Sequence, residues 1–255
     1  MDASIQEGHY ARKQLRNPFA LIRWSHRSRF AQAVDLAAVA GGRRLLDFGC
    51  CDATFLALLA CSPHAPAAAV GAELETGVVE GNRRRFAHLP ALSFVLQSEL
   101  ESPAHTGTFD VITCMEVFEH VTDPEAGRDL FQRLLRPGGR LILSVPVEIG
   151  PAVVLKQMAR QVAGWMGAPH YPGVTPYTWG ELFRSVFAGD TPHLVRPVNR
   201  DPAGFASHCH KGFNWKVLRG RVRRRFTVTR TSASPLGWLP PGLNSQVWIE
   251  AAKAG

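Results

Sequence analysis

Five short apolar runs, Arg43 to Phe48, Ala67 to Ala72, Leu92 to Leu96, Phe109 to Cys114 and Arg140 to Val145, constrain this chain more than any other feature. Helix-compatible stretches at Ala53 to Ala60, Gly77 to Phe86 and Asp123 to Leu135 fall between them. Strands alternating with helices at this interval need right-handed crossovers, and crossover helices cover both faces of the sheet they connect. Two later runs, Phe226 to Thr231 and Gln246 to Ala251, follow a helix at Asn214 to Arg225 and could add an antiparallel edge. The expected fold is α/β: a doubly wound, mostly parallel seven-stranded sheet with an antiparallel edge strand. In such sheets ligands sit at the carboxyl ends of the strands.

The pattern divides the chain into four expected parts. Residues 1–42 read as N-terminal cap helices, 43–145 as an α/β core, 146–212 as an inserted lid and 213–255 as the helix and strands that complete the sheet. The insertion is marked by prolines, histidines and aromatics that interrupt the alternation. At 255 residues, one large domain with an insertion fits better than two independent domains.

Composition narrows the class. Hydrophobic residues make up 45% of the chain and charged residues 20%, a globular balance without an apolar run long enough to span a bilayer. The N-terminus, with Arg12, Lys13 and Arg16, has no apolar core of a secretory signal, so a cytoplasmic protein is expected. Five cysteines without paired spacing argue for reduced thiols rather than a disulfide framework or zinc ribbon. The net charge of +8 is uneven: residues 45–190 carry 10 basic against 16 acidic side chains, and residues 191–255 carry 11 against 2. An acidic body with basic ends could attract an anionic partner, or Arg219, Arg223 and Arg224 could simply line a solvated helix face.

The chemistry concentrates at strand ends. Gly49, in Asp47-Phe48-Gly49-Cys50-Cys51-Asp52-Ala53, permits a positive φ and a close backbone approach to a ligand. Glu73 ends the next strand about 25 residues on, with Leu74 beside it, where nucleotide-binding sheets place a carboxylate for ribose hydroxyls. These residues, with Phe109-Asp110-Val111-Ile112-Thr113-Cys114-Met115-Glu116-Val117-Phe118-Glu119-His120-Val121 and the Pro137-Gly138-Gly139 turn, resemble the class I S-adenosylmethionine-dependent methyltransferases. Within them, the chain is most similar to the small-molecule branch that includes the ubiquinone-pathway O-methyltransferases. The likeness covers roughly residues 25 to 145 and departs from the family at Cys51 and Ala53, where glycine is usual.

The resemblance implies S-adenosyl-L-methionine as cofactor. It places Asp47, Gly49, Cys51, Glu73 and Leu74 around its methionine and ribose parts, Ser98 or Glu99 near the adenine amine, and Cys114, Met115, Glu116 and Val117 beside it. Arg29 matches an arginine that holds the cofactor carboxylate, a bidentate pairing suited to a guanidinium. Tyr10 and Trp24 are expected to help close the pocket. Glu119-His120 matches the Glu-His pair of the branch. A neutral imidazole can accept the proton of a hydroxyl or amine during methyl transfer, which makes His120 the expected base. It could equally brace the loop, with Glu119 orienting its ring or joining it at a divalent metal.

Specificity is expected in the insertion. Pro151 to Gly167 reads as an amphipathic helix with Lys156, Gln157, Arg160 and Gln161 on one face and Val154, Met158, Val162, Trp165 and Met166 mainly on the other. A lid over the acceptor fits this pattern, as does peripheral contact with a lipid surface. His170, Tyr171, Tyr177 and Trp179 are the expected acceptor-lining residues. His208-Cys209-His210 alternates potential ligands without a partner set in the sequence, so no metal is expected. The leading expectation is methylation of an O or N atom of a small-molecule acceptor. A non-catalytic binder on the same scaffold and, less favoured, an RNA methyltransferase are the alternatives.

Overall fold

The computed structural model describes residues 5, 8–165, 176–200 and 204–255, with backbone alone at 159, 160 and 162–165. His170 and Tyr171 lie outside the described residues.

A seven-stranded sheet organises the chain. Its strands are β1 (Arg44–Phe48), β2 (Ala68–Glu73), β3 (Leu92–Leu96), β4 (Phe109–Met115), β5 (Leu135–Pro146), β8 (Thr227–Ser234) and β9 (Gln246–Ala252), in the order β3-β2-β1-β4-β5-β9-β8. β1 pairs in parallel with β2 and β4, and β2 with β3. The sheet is mostly parallel with an antiparallel edge strand, as expected. A separate antiparallel pair, β6 (Val198–Arg200) with β7 (Ala206–His208), was not foreseen: three residues per strand are too few to show a period. The helices are α1 (Ala20–Ala37), α2 (Thr54–Ala60), α3 (Thr76–Arg85), α4 (Pro124–Leu134), α5 (Ala152–Trp165), α6 (Trp179–Val186) and α7 (Trp215–Val222). Helix α4 is not followed by the expected loop at Pro137-Gly138-Gly139, because β5 already begins at Leu135 and takes the turn in with Gly138 at φ 71°.

The chain forms two compact units. The first holds residues 1–115, 128–143 and 250–255. Leu45, Leu46, Ile112, Leu56, Leu59 and Phe131 are all fully buried there, and the rings of Phe48 and Phe131 meet edge to face at 5.1 Å. Burial of each such side chain contributes about 1.5–3 kcal/mol. Gly71 of β2 is required by close packing, since a Cβ there would lie 2.8 Å from both Cys50 Sγ and the Phe94 ring.

The second unit holds residues 116–127 and 144–249. Its centre includes Phe213, Trp215 and the fully buried Trp248, whose indole Nε1 donates to Ser234 Oγ at 3.0 Å. Helix α5 turns Lys156, from its expected polar face, inward together with Ala152 and Val153. Lys156 points inward, where Nζ donates to the carbonyls of Val147 at 2.8 Å and Ser245 at 3.2 Å and lies 3.3 Å from the carboxylate of buried Glu148, while Leu155 and Met158 are exposed. A buried carboxylate needs a counter-charge more than two side chains need cover, so the cation takes the inner face.

Candidate functional site

Of the cofactor residues expected from the sequence, Asp47, Gly49, Cys51, Glu73 and Leu74 lie in the first unit, at the carboxyl ends of β1 and β2. The turn after β1 puts Gly49, Cys51 and Ala53 at φ 76°, 48° and 54°, the left-handed region at alternate positions. Glycine enters this region freely, whereas other L-residues bear about 1–2 kcal/mol. The turn therefore keeps an alternating-glycine backbone at the two positions where the sequence has Cys and Ala. Ala53 is fully buried and precedes α2 directly, so its methyl group packs rather than protrudes.

Glu73 faces this turn. Its Oε2 accepts from the backbone N of Cys51 at 2.9 Å, and its Oε1 from the N of Leu74 at 3.1 Å. Each carboxylate oxygen has a second lone pair, so both keep capacity for a ribose hydroxyl. Leu74 is 52% exposed and offers an apolar surface beside it. On the other side of the turn, Asn82 of α3 donates to the Cys51 carbonyl at 2.7 Å. The Tyr10 backbone N donates to Asp52 Oδ2 at 2.7 Å. The turn is thus held from three directions, and its backbone and the Glu73 carboxylate suit an adenosyl ligand.

Asp47 is the penultimate residue of β1. It is buried, and Thr113 Oγ1 donates to its Oδ1 at 2.7 Å, so it straps β1 to β4 beneath the turn. Burial is the main cause that pushes its carboxyl up to about 7; the Thr113 hydrogen bond opposes that rise and the negative charge of Glu73 adds to it. Burial likewise raises Cys50, and it raises Cys51 to about 11, with Asp52 and Glu73 adding to the shift. Both cysteines are therefore thiols at neutral pH. The Cys51 side chain hydrogen-bonds that of Tyr10, whose phenol burial holds above its ordinary value. Burial and the nearby Arg29 lower His26 to about 4, so it is neutral. Arg29 is half-buried, pairs with Gln14 Oε1 and stacks on Phe30, and its charge reaches both Tyr10 and His26. Trp24 is 44% exposed.

At the third strand Ser98 and Glu99 are exposed in a short 3-10 turn, and Glu99 is committed to capping it by accepting from Leu96 N at 2.6 Å. Cys114 is buried at the end of β4 and Met115 half-buried. Thr113 and Asn82 escaped the sequence reading. Thr113 had a usable signal, because it is the register partner of Asp47 once β1 and β4 are paired. Asn82, with Asp52, had none beyond position.

The remaining expected residues belong to the second unit. Glu116, at φ 57°, accepts from Ser144 Oγ at 3.3 Å, and its backbone N donates to the Ser144 carbonyl at 2.9 Å; Val117 is half-buried. His120 directs Nδ1 at the His208 carbonyl oxygen, 2.9 Å away, and lies 3.9 Å through Nε2 from fully buried Glu119. Tyr177 is half-buried, its hydroxyl accepting from Gly212 N at 3.2 Å, whereas Trp179 is 87% exposed. Trp179, Phe183 and Phe187 form an exposed aromatic row on and just beyond α6, the row that four-residue spacing makes. The His210 ring also approaches His120, with 3.3 Å between their Nε2 atoms. The His208 ring turns to the Pro197 carbonyl and Cys209 is buried.

Residues 23–186, more than half of the chain, match the family described as Methyltransferase domain. The chain is 31% identical over 117 residues to a ubiquinone biosynthesis O-methyltransferase of Aromatoleum aromaticum, a match covering 44% of this chain and 47% of that protein. It is 34% identical over 106 residues to a demethylmenaquinone methyltransferase of Clavibacter sepedonicus, covering 42% of each. These matches span less than half the length of either relative. Among solved structures, an S-adenosylmethionine-dependent methyltransferase from Mesorhizobium loti superposes with a TM-score of 0.52 at 13% identity, covering 89% of this chain and 98% of that one, which is a likeness of fold. No helix among the described residues is long and apolar enough to cross a membrane. The family match, the sheet order and the turn facing Glu73 agree: the chain belongs to the class I S-adenosylmethionine-dependent methyltransferase family.

Proposed function

We propose that this enzyme methylates an oxygen or nitrogen atom of a small-molecule acceptor. The observation that carries the cofactor half is the turn at Gly49, Cys51 and Ala53, left-handed at each alternate residue and tied through Cys51 N to Glu73. The acceptor half is supported by the two quinone-pathway relatives, whose names specify small-molecule methylation. When bound, S-adenosylmethionine supplies a methyl group already activated on a sulfonium, so the protein's task is to position two reactants and remove a proton. The Gly49 to Ala53 turn and Leu74 receive the cofactor, Glu73 accepts from its ribose hydroxyls, and Arg29 takes its carboxylate. His120 is the residue we assign to the acceptor's proton. Its Nδ1 donates to the His208 carbonyl, which in the neutral ring makes Nε2, 3.3 Å from His210 Nε2, the proton-accepting nitrogen. Tyr177 and the residues outside the described set, His170 and Tyr171, are assigned to the acceptor. Trp179, on the exposed row of α6, is retained only as a rim residue.

Calorimetry with S-adenosylmethionine tests the reading. The intact protein should bind one equivalent, and Glu73→Ala should weaken binding about 100-fold, as loss of two charge-assisted hydrogen bonds implies. A folded protein that takes up no cofactor would refute it. Turnover of a phenolic or amine acceptor, read as S-adenosylhomocysteine release, then distinguishes the methylated atom.

A further inference from the structure

The N-terminal part of the first unit carries a charge and an exposed apolar surface that the cofactor site does not use. Residues 8–34 contain six Lys or Arg and no Asp or Glu. Within them, the helical turn Ala11–Leu15 buries Ala11 and Leu15 and leaves Arg12 and Lys13 exposed, with exposed Arg16 directly after it. Helix α1 then begins with apolar residues outward. Phe19, Leu21, Ile22 and Trp24 are all exposed, Leu21 by 73%, and the first buried residue of the helix is Phe30. At about 100° per residue, four large apolar side chains within six positions point to every side of the helix, so this end projects from the core instead of lying against it.

Polar bonds hold the projecting end in place. The Phe19 backbone N donates to Asn17 Oδ1 at 3.0 Å, and Asn17 Nδ2 donates to the Lys13 carbonyl at 3.0 Å. Arg23 Nη1 donates to the Asn17 carbonyl at 2.7 Å, and Arg27 Nε to that of Leu15 at 3.2 Å. The basic turn and the apolar end are thereby tied into one piece. An ordered segment that keeps a contiguous apolar surface in water gains from any partner that covers it.

We propose that this piece docks on a lipid surface with anionic headgroups. Phe19, Leu21, Ile22 and Trp24 enter the boundary between headgroups and acyl chains, and Arg12, Lys13 and Arg16 meet the lipid phosphates. The two aliphatic residues favour lipid over nucleic acid: bases stack on aromatic rings and Arg planes, whereas an acyl region takes up leucine and isoleucine as well. The exposed aromatic row of α6 lacks the matching charge, since residues 176–190 carry Arg184 against Glu181 and Asp190. Charge and apolar exposure coincide at the start of α1.

The experiment is co-sedimentation of the full chain with phosphatidylcholine vesicles, with and without phosphatidylglycerol, at low and high sodium chloride. Cofactor binding and the unfolding midpoint are measured on the same preparations. Anionic vesicles should bind the protein at least about tenfold tighter than neutral ones, because each cation near the surface contributes roughly fivefold. Added salt should weaken that binding by screening the exposed charges. Leu21→Ser with Ile22→Ser should weaken it about tenfold or more while the unfolding midpoint and cofactor binding stay as in the wild type, both side chains being exposed in the folded chain. Arg12→Ser with Lys13→Ser should reduce the preference for anionic lipid, and Phe183→Ser with Phe187→Ser on α6 should bind as the wild type does. Acyl chains brominated near the headgroup should quench tryptophan emission of the wild type, and Trp24→Phe should remove most of that quenching. Absence of binding, equal binding to neutral and anionic vesicles, unaltered binding by Leu21→Ser with Ile22→Ser, or loss of binding in the α6 variant would each overturn the proposal. So would a dimer that dissociates in the Leu21 and Ile22 variant, or RNA binding abolished by it, which assigns the surface to a second copy or to nucleic acid. Cofactor binding that persists without vesicle binding leaves the proposed function standing while the lipid surface falls.

Discussion

The turn after β1 and the histidine cluster of the second unit are built in opposite ways. The turn uses consecutive residues, 49 to 53, and its conformation follows from a strand that must hand over to a helix within a few residues. The cluster draws residues 119, 120, 148, 196 and 210 from separate segments, and no local rule joins them. A site written in one stretch tolerates side-chain change so long as the backbone path survives, as Cys51 and Ala53 illustrate. A site assembled from distant segments depends on the residues that clamp those segments.

Substitutions at four positions sharpen this contrast. The largest effect is expected on the ligand side of the turn: Glu73→Gln keeps one acceptor oxygen but loses charge, and should weaken cofactor binding about tenfold, less than the roughly 100-fold of Glu73→Ala. Calorimetry that ranks the two variants equally would show that Glu73 acts through charge alone.

Beneath the turn, Asp47→Asn should alter the pH dependence of stability. The carboxyl is raised from 3.8 to about 7 in the folded protein, so its neutral form stabilises the fold fully below pH 4 and that contribution is lost as pH rises through 7. Denaturant unfolding at pH 4 and pH 8 should show the asparagine variant gaining on the wild type only at the higher pH. An equal difference at both values would mean that Asp47 does not titrate in this window.

In the second unit, Arg196→Ala leaves the carbonyls of Glu119 and Cys209 without that donor and should cost about 1–3 kcal/mol in unfolding free energy. Arg196→Lys should recover only part of it, because both bonds come from one guanidinium nitrogen, Nη2, and the shorter lysine side chain does not carry its ammonium to that point. If the lysine variant equals the wild type, the clamp is electrostatic and not geometric. The smallest effect is at the turn itself. Cys51→Gly relieves a left-handed residue and should stabilise by up to about 1 kcal/mol, since the strain removed exceeds the entropy that glycine adds. A loss of stability there would show that the contact of Cys51 with Tyr10 outweighs the strain.

Much of the fold was legible because its signals are local. Buried strands such as Leu45-Leu46 read as apolar runs, the helices between them as periodic stretches, and Glu73 as the acid that ends the second strand. The orientation of α5 was not legible. Periodicity separates two faces but does not say which one turns inward, and Glu148 with two carbonyls captured Lys156. The β6 and β7 pair was too short to carry a pattern.

The sequence by itself determined the sheet and the family, because strand-turn-helix patterns and the Glu-Val-Phe-Glu-His stretch are encoded within a few residues. Only tertiary structure decided that Asp47 bonds Thr113 rather than facing outward, and that His210, ninety residues from His120, stands 3.3 Å from it. Hydrogen bonds act over a few ångströms of space whatever the separation along the chain, so pairings of that kind exist only once the core has closed.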